Sequence, residues 1–164
     1  MIDAPSLFNE LLAEAETRFG PRSRTLAPIV EPRDDLIIPE TIPDGADRCK
    51  VFYAREAQHD YLRLGFQLAH EAIHVLSGAL RRDARNLEEG FAVWFSLHHH
   101  RMNRKSRRRE EVCLPPLFKN ALELFSQMKP TDSKIKKLRS ECAESLIPLR
   151  PGPQNVVAGE MDSC

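Results

Sequence analysis

The sequence predicts an α+β fold in which helices dominate and a short sheet is formed early in the chain. Apolar residues recur at helical spacing in several long segments. One stretch, CKVFYA (49–54), instead alternates in the manner of a strand. Residues 22–48 contain four prolines, which limit the apolar stretches LAPIV (26–30) and DLIIP (35–39) to brief strands at a sheet edge.

The helices are predicted from apolar periodicity together with the prolines and glycines that bound it. They are expected at residues 5–18, about 58–76, about 87–101, 116–128 and 132–146. Residues 1–148 are therefore expected to form a single domain. Residues 149–164 contain prolines and glycines and little that could pack, so we expect a disordered C-terminal tail.

Composition narrows the class of protein. Hydrophobic residues make up 41% and charged residues 29% of the 164-residue chain, as in an ordinary globular domain. The four cysteines form no C-x-x-C pair, which disfavours both a thiolate zinc site and a dense disulfide framework. The start of the chain is acidic and amphipathic, unlike a signal peptide, and no apolar run reaches membrane-spanning length. A cytoplasmic protein without membrane contact is expected.

The segment LGFQLAHEAIHVLSG (64–78) places two histidines and a glutamate in an apolar helix. His70 and His74 lie one turn apart, so both imidazoles share a face and can bind one Zn²⁺. Glu71 is rotated by about 100° and can act as a general base beside the metal without being a ligand. The alternative is that all three are ordinary helix residues, with the histidines hydrogen-bonded and the glutamate at the surface.

The next segment, LEEGFAVWF (87–95), adds a resemblance. Together with H-E-x-x-H it resembles the gluzincin metallopeptidases, which carry a ligand glutamate on the following helix, often within L-N-E-G-F-A. The resemblance covers about residues 64–97. It implies a small zincin-like domain, with a short sheet packed on the active-site helix and one Zn²⁺ per chain held by His70, His74 and Glu89.

The resemblance leaves the choice of glutamate open. Glu88 stands where the family often has asparagine, and it is the alternative ligand. Taken without the resemblance, Glu89 can also be the N3 residue of a capping box in which Asn86 caps the helix.

The chain also departs from the better-known gluzincins. Only fourteen residues separate His74 from Glu89, and Val93 stands where thermolysin-like enzymes carry an acid that orients a zinc histidine. No tyrosine comes after Glu89, although the larger enzymes often use one to stabilise the oxyanion. A histidine of the run at the end of the glutamate helix can take that role, unless the run is simply solvated. Its members are His98, His99 and His100.

These features favour a zinc-dependent metallo-endopeptidase that acts on a peptide or protein substrate. A sheet edge beside the cleft would hold the substrate by main-chain hydrogen bonds. Two alternatives are a zinc-stabilised binding or regulatory protein without turnover, and a nucleic-acid-associated protein that uses the basic run RMNRKSRRR (101–109), with its six positive residues. The candidate substrate-binding strand comprises Lys50, Val51, Phe52 and Tyr53.

Overall fold

The computed structural model describes residues 2–78, 86–99 and 114–145, and the expected α+β class is confirmed within them. The tail from 149 and the basic run 101–109 lie outside the described residues. No described helix is long and apolar enough to cross a membrane. The elements in chain order are α1 (Ala4–Phe19), β1 (Ala27–Arg33), β2 (Glu40–Pro43), β3 (Arg48–Ala54), a 3-10 helix (Arg55–His59), α2 (Tyr61–Ser77), α3 (Asn86–His98), α4 (Pro116–Gln127) and α5 (Asp132–Ser145).

The sheet has three strands in the order β1-β3-β2. β1 pairs with β3 in parallel, and β2 pairs with β3 in antiparallel fashion. The brief strand expected at 26–30 extends to residue 33, whereas the one expected at 35–39 is wrong, because β2 begins only at Glu40. Pro39 immediately precedes that strand, so pairing starts after the proline.

Proline is tolerated inside β1 because of the direction of its main chain. Ala27 N–H donates to Asp47 O, on the side of β3, at 2.8 Å. In a parallel ladder alternate residues point to opposite sides, so the main chains of Pro28 and Pro32 point away from β3. The donors that the two prolines lack would have faced the free edge.

The position of β3 corrects one expectation. Residues 48–54 of β3 pair with β1, and residues 49–52 also pair with β2. The strand predicted from CKVFYA is present, but its main chain is already hydrogen-bonded on both sides. Residues 50–53 therefore cannot be the open sheet edge that we expected to hold substrate. The edge on the side of the H-E-x-x-H helix is β2.

Helix α2 is buried and fixed at both ends. The Asp60 side chain caps its start by accepting hydrogen bonds from the N–H groups of Leu62 and Arg63. Gly78 ends it in the left-handed conformation, at φ 71°. Gln67 joins the helix to the sheet, since its Oε1 accepts a hydrogen bond from Ala54 N–H at 3.1 Å.

The main core surrounds α2, with α1 and α3 beside it and the inner face of the sheet against it. Apolar side chains from these elements form one buried cluster. Its largest fully buried members are Phe8, Leu11, Phe19, Leu26, Leu64, Leu68, Ile73, Leu76 and Phe95.

Arg139 of α5 ties the ends of two helices together. Its guanidinium donates to the carbonyls of Phe19, Gly20 and Pro21 at the end of α1, at 2.8 to 3.1 Å. It also donates to Leu76 O at the end of α2, at 2.9 Å. The carbonyls at a helix end lack partners within the helix, so one cation serves both helices.

Helices α3 and α4 cross in very close contact at Gly90. A Cβ atom at this position would lie 2.2 Å from Ala121 O and 2.6 Å from Phe125 Cβ. The first of these neighbours is backbone and cannot move aside without moving α4. The glycine of the LEEGFA segment therefore has a packing role one residue after Glu89.

We expect Gly90→Ala to destabilise the protein by about 1–3 kcal/mol or more, because it overpacks the crossing of α3 and α4. Gly65→Ala is the matched control, since a Cβ atom there would have nothing within 4 Å. Gly65 lies within α2, so alanine should stabilise the protein by about 0.5–1 kcal/mol. Urea unfolding of both variants measures the difference. Equal effects from the two substitutions would contradict this account of the crossing.

Cys49 of β3 is a free thiol, and its side chain is buried on the inner face of the sheet. Burial raises its pKa to about 11, with the carboxylate of Glu71 adding to the rise and Arg22 opposing it. The thiol therefore stays protonated at pH 8, and the thiolate is the reactive form. We expect iodoacetamide to leave Cys49 unmodified in the native protein and to modify it after unfolding, as read by peptide mass spectrometry. Rapid modification of the native protein would show that the sheet opens.

Candidate metal centre

Three elements bring the candidate site together. Helix α2 contributes His70, Glu71 and His74, which are 2%, 1% and 7% exposed. Each of the three offers one ligand atom, and these atoms lie within 4.8 Å of one another. Buried ionisable side chains need polar or charged partners. This set of three side chains could hold a metal ion. Helix α3 and strand β2 supply the side chains that surround it.

Glu89 of α3 reaches both histidines. Its Oε2 lies 3.2 Å from His70 Nε2, and its Oε1 lies 3.5 Å from His74 Nε2. The two Nε2 atoms are 3.1 Å apart. Ligands held tetrahedrally at about 2.0–2.1 Å from a zinc ion lie about 3.3 Å from each other. The three side chains are therefore spaced as ligands of one small cation would be.

The carboxylate of Glu89 is thus directed to the histidines. The capping box considered as an alternative would need this carboxylate to turn back to the main chain of Asn86 instead. The contacts of Glu89 with two imidazoles explain its position better than a role at the helix end.

Glu88 occupies a different place from Glu89. His74 Nδ1 lies 3.1 Å from Glu88 Oε1, and an ionised carboxylate only accepts, so the nitrogen donates. In the neutral ring, which is the form that binds a metal, that proton leaves the lone pair of His74 on Nε2, the atom that faces His70 and Glu89. Glu88 thereby fixes the ring and its tautomer, as carboxylate partners of metal-binding histidines do. The sequence had suggested Glu88 only as an alternative ligand.

This contact supplies the orienting carboxylate that the sequence lacks at position 93. Val93 is fully buried and packs with Phe66 and Phe118 in a second apolar cluster. The orienting carboxylate belongs to Glu88, one residue before Glu89, and not to a residue one helical turn after it. The signal in the sequence was the pair of adjacent acids, and only the rotation of α3 shows which acid meets which nitrogen.

The site is electrostatically negative in the absence of a metal. Burial alone would lower the pKa of His74, but the hydrogen bond to Glu88 and the charges of Glu71 and Glu89 raise it to about 9. Burial likewise opposes ionisation of Glu89, but its contacts with His70 and the charge of His74 lower its pKa. Three carboxylates against two imidazoles favour a positive charge between them, which a proton or a metal ion can provide.

The imidazole of His70 is held mainly by packing. It stacks on Phe118 of α4, with ring centroids 4.8 Å apart and planes 26° from parallel. Among the described residues its Nδ1 has no hydrogen-bond partner. The two histidines are therefore oriented by different means, His70 by an aromatic ring and His74 by a carboxylate.

The side chain of Glu71 is held by β2. Thr41 Oγ1 donates to Glu71 Oε2 at 2.6 Å, across thirty residues of sequence. Sequence analysis missed Thr41, because nothing in the stretch ETIP marks one threonine as a neighbour of the helix. The contact depends on the register of β2 against β3, in which Thr41 is opposite Val51.

Two of the candidate oxyanion donors lie elsewhere. His98 stacks on Trp94 at 4.9 Å, and its Nδ1 donates to Trp94 O. His99 is buried beside Phe95, with ring centroids 6.0 Å apart. His98 lies nine residues after Glu89, or about 13 Å along a helix axis. His98 and His99 are therefore placed away from Glu89 along the axis of α3, and His100 is outside the described residues.

No family model matches the chain, and no curated protein and no solved structure matches it. The resemblance to gluzincins therefore rests only on the matching residues within 64–97. No structural neighbour supports a zincin-like fold. What the structure adds is that His70, Glu71 and His74 are close together and buried.

The two glutamates of α3 should differ in their effect on metal affinity. Glu89→Gln removes the carboxylate that faces both Nε2 atoms, and we expect it to abolish tight Zn²⁺ binding. Glu88→Gln should weaken binding by about 10–100-fold, the usual effect of losing a partner of a metal-bound histidine. Competition with a chromophoric chelator measures both affinities.

Glu123→Gln, an exposed substitution on α4, is the control and should leave Zn²⁺ affinity unchanged. If Glu88→Gln loses the metal while Glu89→Gln retains full affinity, the assignment of the two glutamates is reversed.

Proposed function

We propose that the protein is a zinc-dependent hydrolase, a metallo-endopeptidase of the gluzincin type. In this proposal His70, His74 and Glu89 hold one Zn²⁺ per chain. The observation that carries it is that three side chains from two helices meet with nitrogen–nitrogen and nitrogen–oxygen distances of 3.1–3.5 Å. Beside them lies the buried Glu71, whose described hydrogen bond is to Thr41. Four-coordinate catalytic zinc sites have three protein ligands and one open position.

Each group then has a separate task. When bound, Zn²⁺ supplies Lewis-acid activation of a water molecule and of the substrate carbonyl. Glu71 takes the proton from the attacking water and returns it to the leaving amine. Glu88 keeps His74 in the tautomer whose Nε2 can bind a cation.

The substrate most compatible with this site is an extended peptide. β2 is an edge strand, and Thr41 on it contacts Glu71 directly. Asp44 N–H donates to Arg48 O at 3.0 Å, which identifies that pair as hydrogen-bonded in the antiparallel ladder. Because bonded and non-bonded pairs alternate, the N–H and C=O of Thr41 point to the open edge. A peptide could pair there by strand addition.

Glu71→Gln tests the enzyme against a metal site without turnover. Glutamine keeps the size of the side chain and can still accept the Thr41 hydrogen bond, but it cannot accept a proton at neutral pH. We expect unchanged folding and Zn²⁺ content and a loss of hydrolysis of about 10²–10⁴-fold. Cleavage of a mixed peptide library, read by mass spectrometry with and without chelator, measures the loss.

Glu123→Gln again serves as the control and should cleave as the parent does. Chelator-sensitive cleavage that persists in Glu71→Gln would rule out Glu71 as the base. Tight Zn²⁺ binding by a parent that cleaves no peptide would support the binding or regulatory alternative instead.

A further inference from the structure

We infer that Thr41 is a positioning residue, whose hydroxyl holds the carboxylate of Glu71 in the orientation required of a general base. The contact between Thr41 and Glu71 is a matter of geometry alone. Its effect on catalysis rests on the proposed function. Glu71 lies next to a metal-binding histidine, yet the hydrogen bond described for its side chain comes from a different element, the edge strand β2.

The contact is strong for its type. At 2.6 Å between Thr41 Oγ1 and Glu71 Oε2, it has the short length of a hydroxyl bonded to an ionised carboxylate. Glu71 is 1% exposed, so water contributes little to holding its charge. A carboxylate in such surroundings depends on its few protein partners. With Oε2 bonded to Thr41, rotation of the carboxylate is restricted and Oε1 is the oxygen left to accept a proton.

The strand register makes the arrangement specific to position 41. Thr41 is opposite Val51, a core residue of β3, so its side chain is on the face of the sheet that covers α2. Its neighbours Glu40 and Ile42 have side chains on the other face, because side chains alternate along a strand. Pro43, the next residue on the inner face, has neither a hydroxyl nor an N–H.

Thr41 also joins the substrate edge to the base. Its hydroxyl contacts Glu71, while its main-chain N–H and C=O point to the open edge of the sheet. A peptide that pairs with this edge restrains the strand and so restrains the hydroxyl. The contact with Glu71 is already present without substrate. Because the hydroxyl acts on the base and not on the peptide, its loss should act on turnover more than on binding.

The test compares Thr41→Val, which keeps the shape and removes the hydroxyl, with Thr41→Ser, which keeps the hydroxyl. For the Zn²⁺-loaded protein and a peptide that the parent cleaves, Thr41→Val should lower kcat by about 10- to 100-fold, the weight of a hydrogen bond to a charged group. KM should stay within about twofold, since substrate contacts at Thr41 are made by the main chain. Thr41→Ser should restore most of kcat.

Thr17→Val is the matched control, since the hydroxyl of Thr17 bonds Ala13 O within α1, and it should leave both kinetic constants unchanged. A structural role alone would not separate kcat from KM or be rescued by serine. Unchanged kcat in Thr41→Val, or an equal loss in Thr41→Ser, would overturn the inference.

A second measurement does not depend on activity. In the metal-free protein Thr41→Val should lower Tm by several degrees, and in a Glu71→Ala background it should lower Tm no further, because the two side chains act as a pair. Additive Tm losses would overturn the contact itself. If the parent cleaves no peptide, the proposed function fails and the catalytic part of the inference with it, while the Tm comparison still decides whether Thr41 holds Glu71.

Discussion

The structure depends on the negative charge that is enclosed between α2 and α3. Glu71, Glu88 and Glu89 surround two imidazoles that are almost fully shielded from water. Carboxylates in such surroundings are stable only beside positive charge or hydrogen-bond donors. Among the elements around α2, strand β2 supplies one donor, the hydroxyl of Thr41, to Glu71. A cation could supply the positive charge beside the two Nε2 atoms. The same arrangement that makes the core costly without positive charge makes it a favourable place for a cation.

Precision at this site comes from the rigidity of its supports. The candidate ligand atoms are carried by helices, which hold side chains more accurately than loops do. α2 is capped by Asp60, joined to the sheet by Gln67 and bonded at its end by Arg139. α3 is set against α4 at a distance that only Gly90 permits. Errors of about 1 Å are enough to impair a catalytic site, so under the proposed function these distant contacts would matter to the chemistry.

Local periodicity accounts for the features that could be predicted from the sequence. The helices, the strand at 49–54 and the pairing of His70 with His74 depend on spacing along one element. The register of β2, and hence Thr41, depends on pairing between distant residues. The division of tasks between Glu88 and Glu89 depends on the rotation of one helix against another. Neither has a local signature in a single sequence.

The two edges of the sheet are chemically unequal. Pro28 and Pro32 remove two main-chain donors from the outer side of β1, whereas β2 presents both groups of Thr41. An aggregate that grows by edge-to-edge pairing of sheets needs both sheet edges of every molecule. With two donors missing, the β1 edge is a poorer partner for such pairing than the β2 edge. The prolines thus lower the tendency to edge-to-edge growth while the strand beside the candidate site stays open.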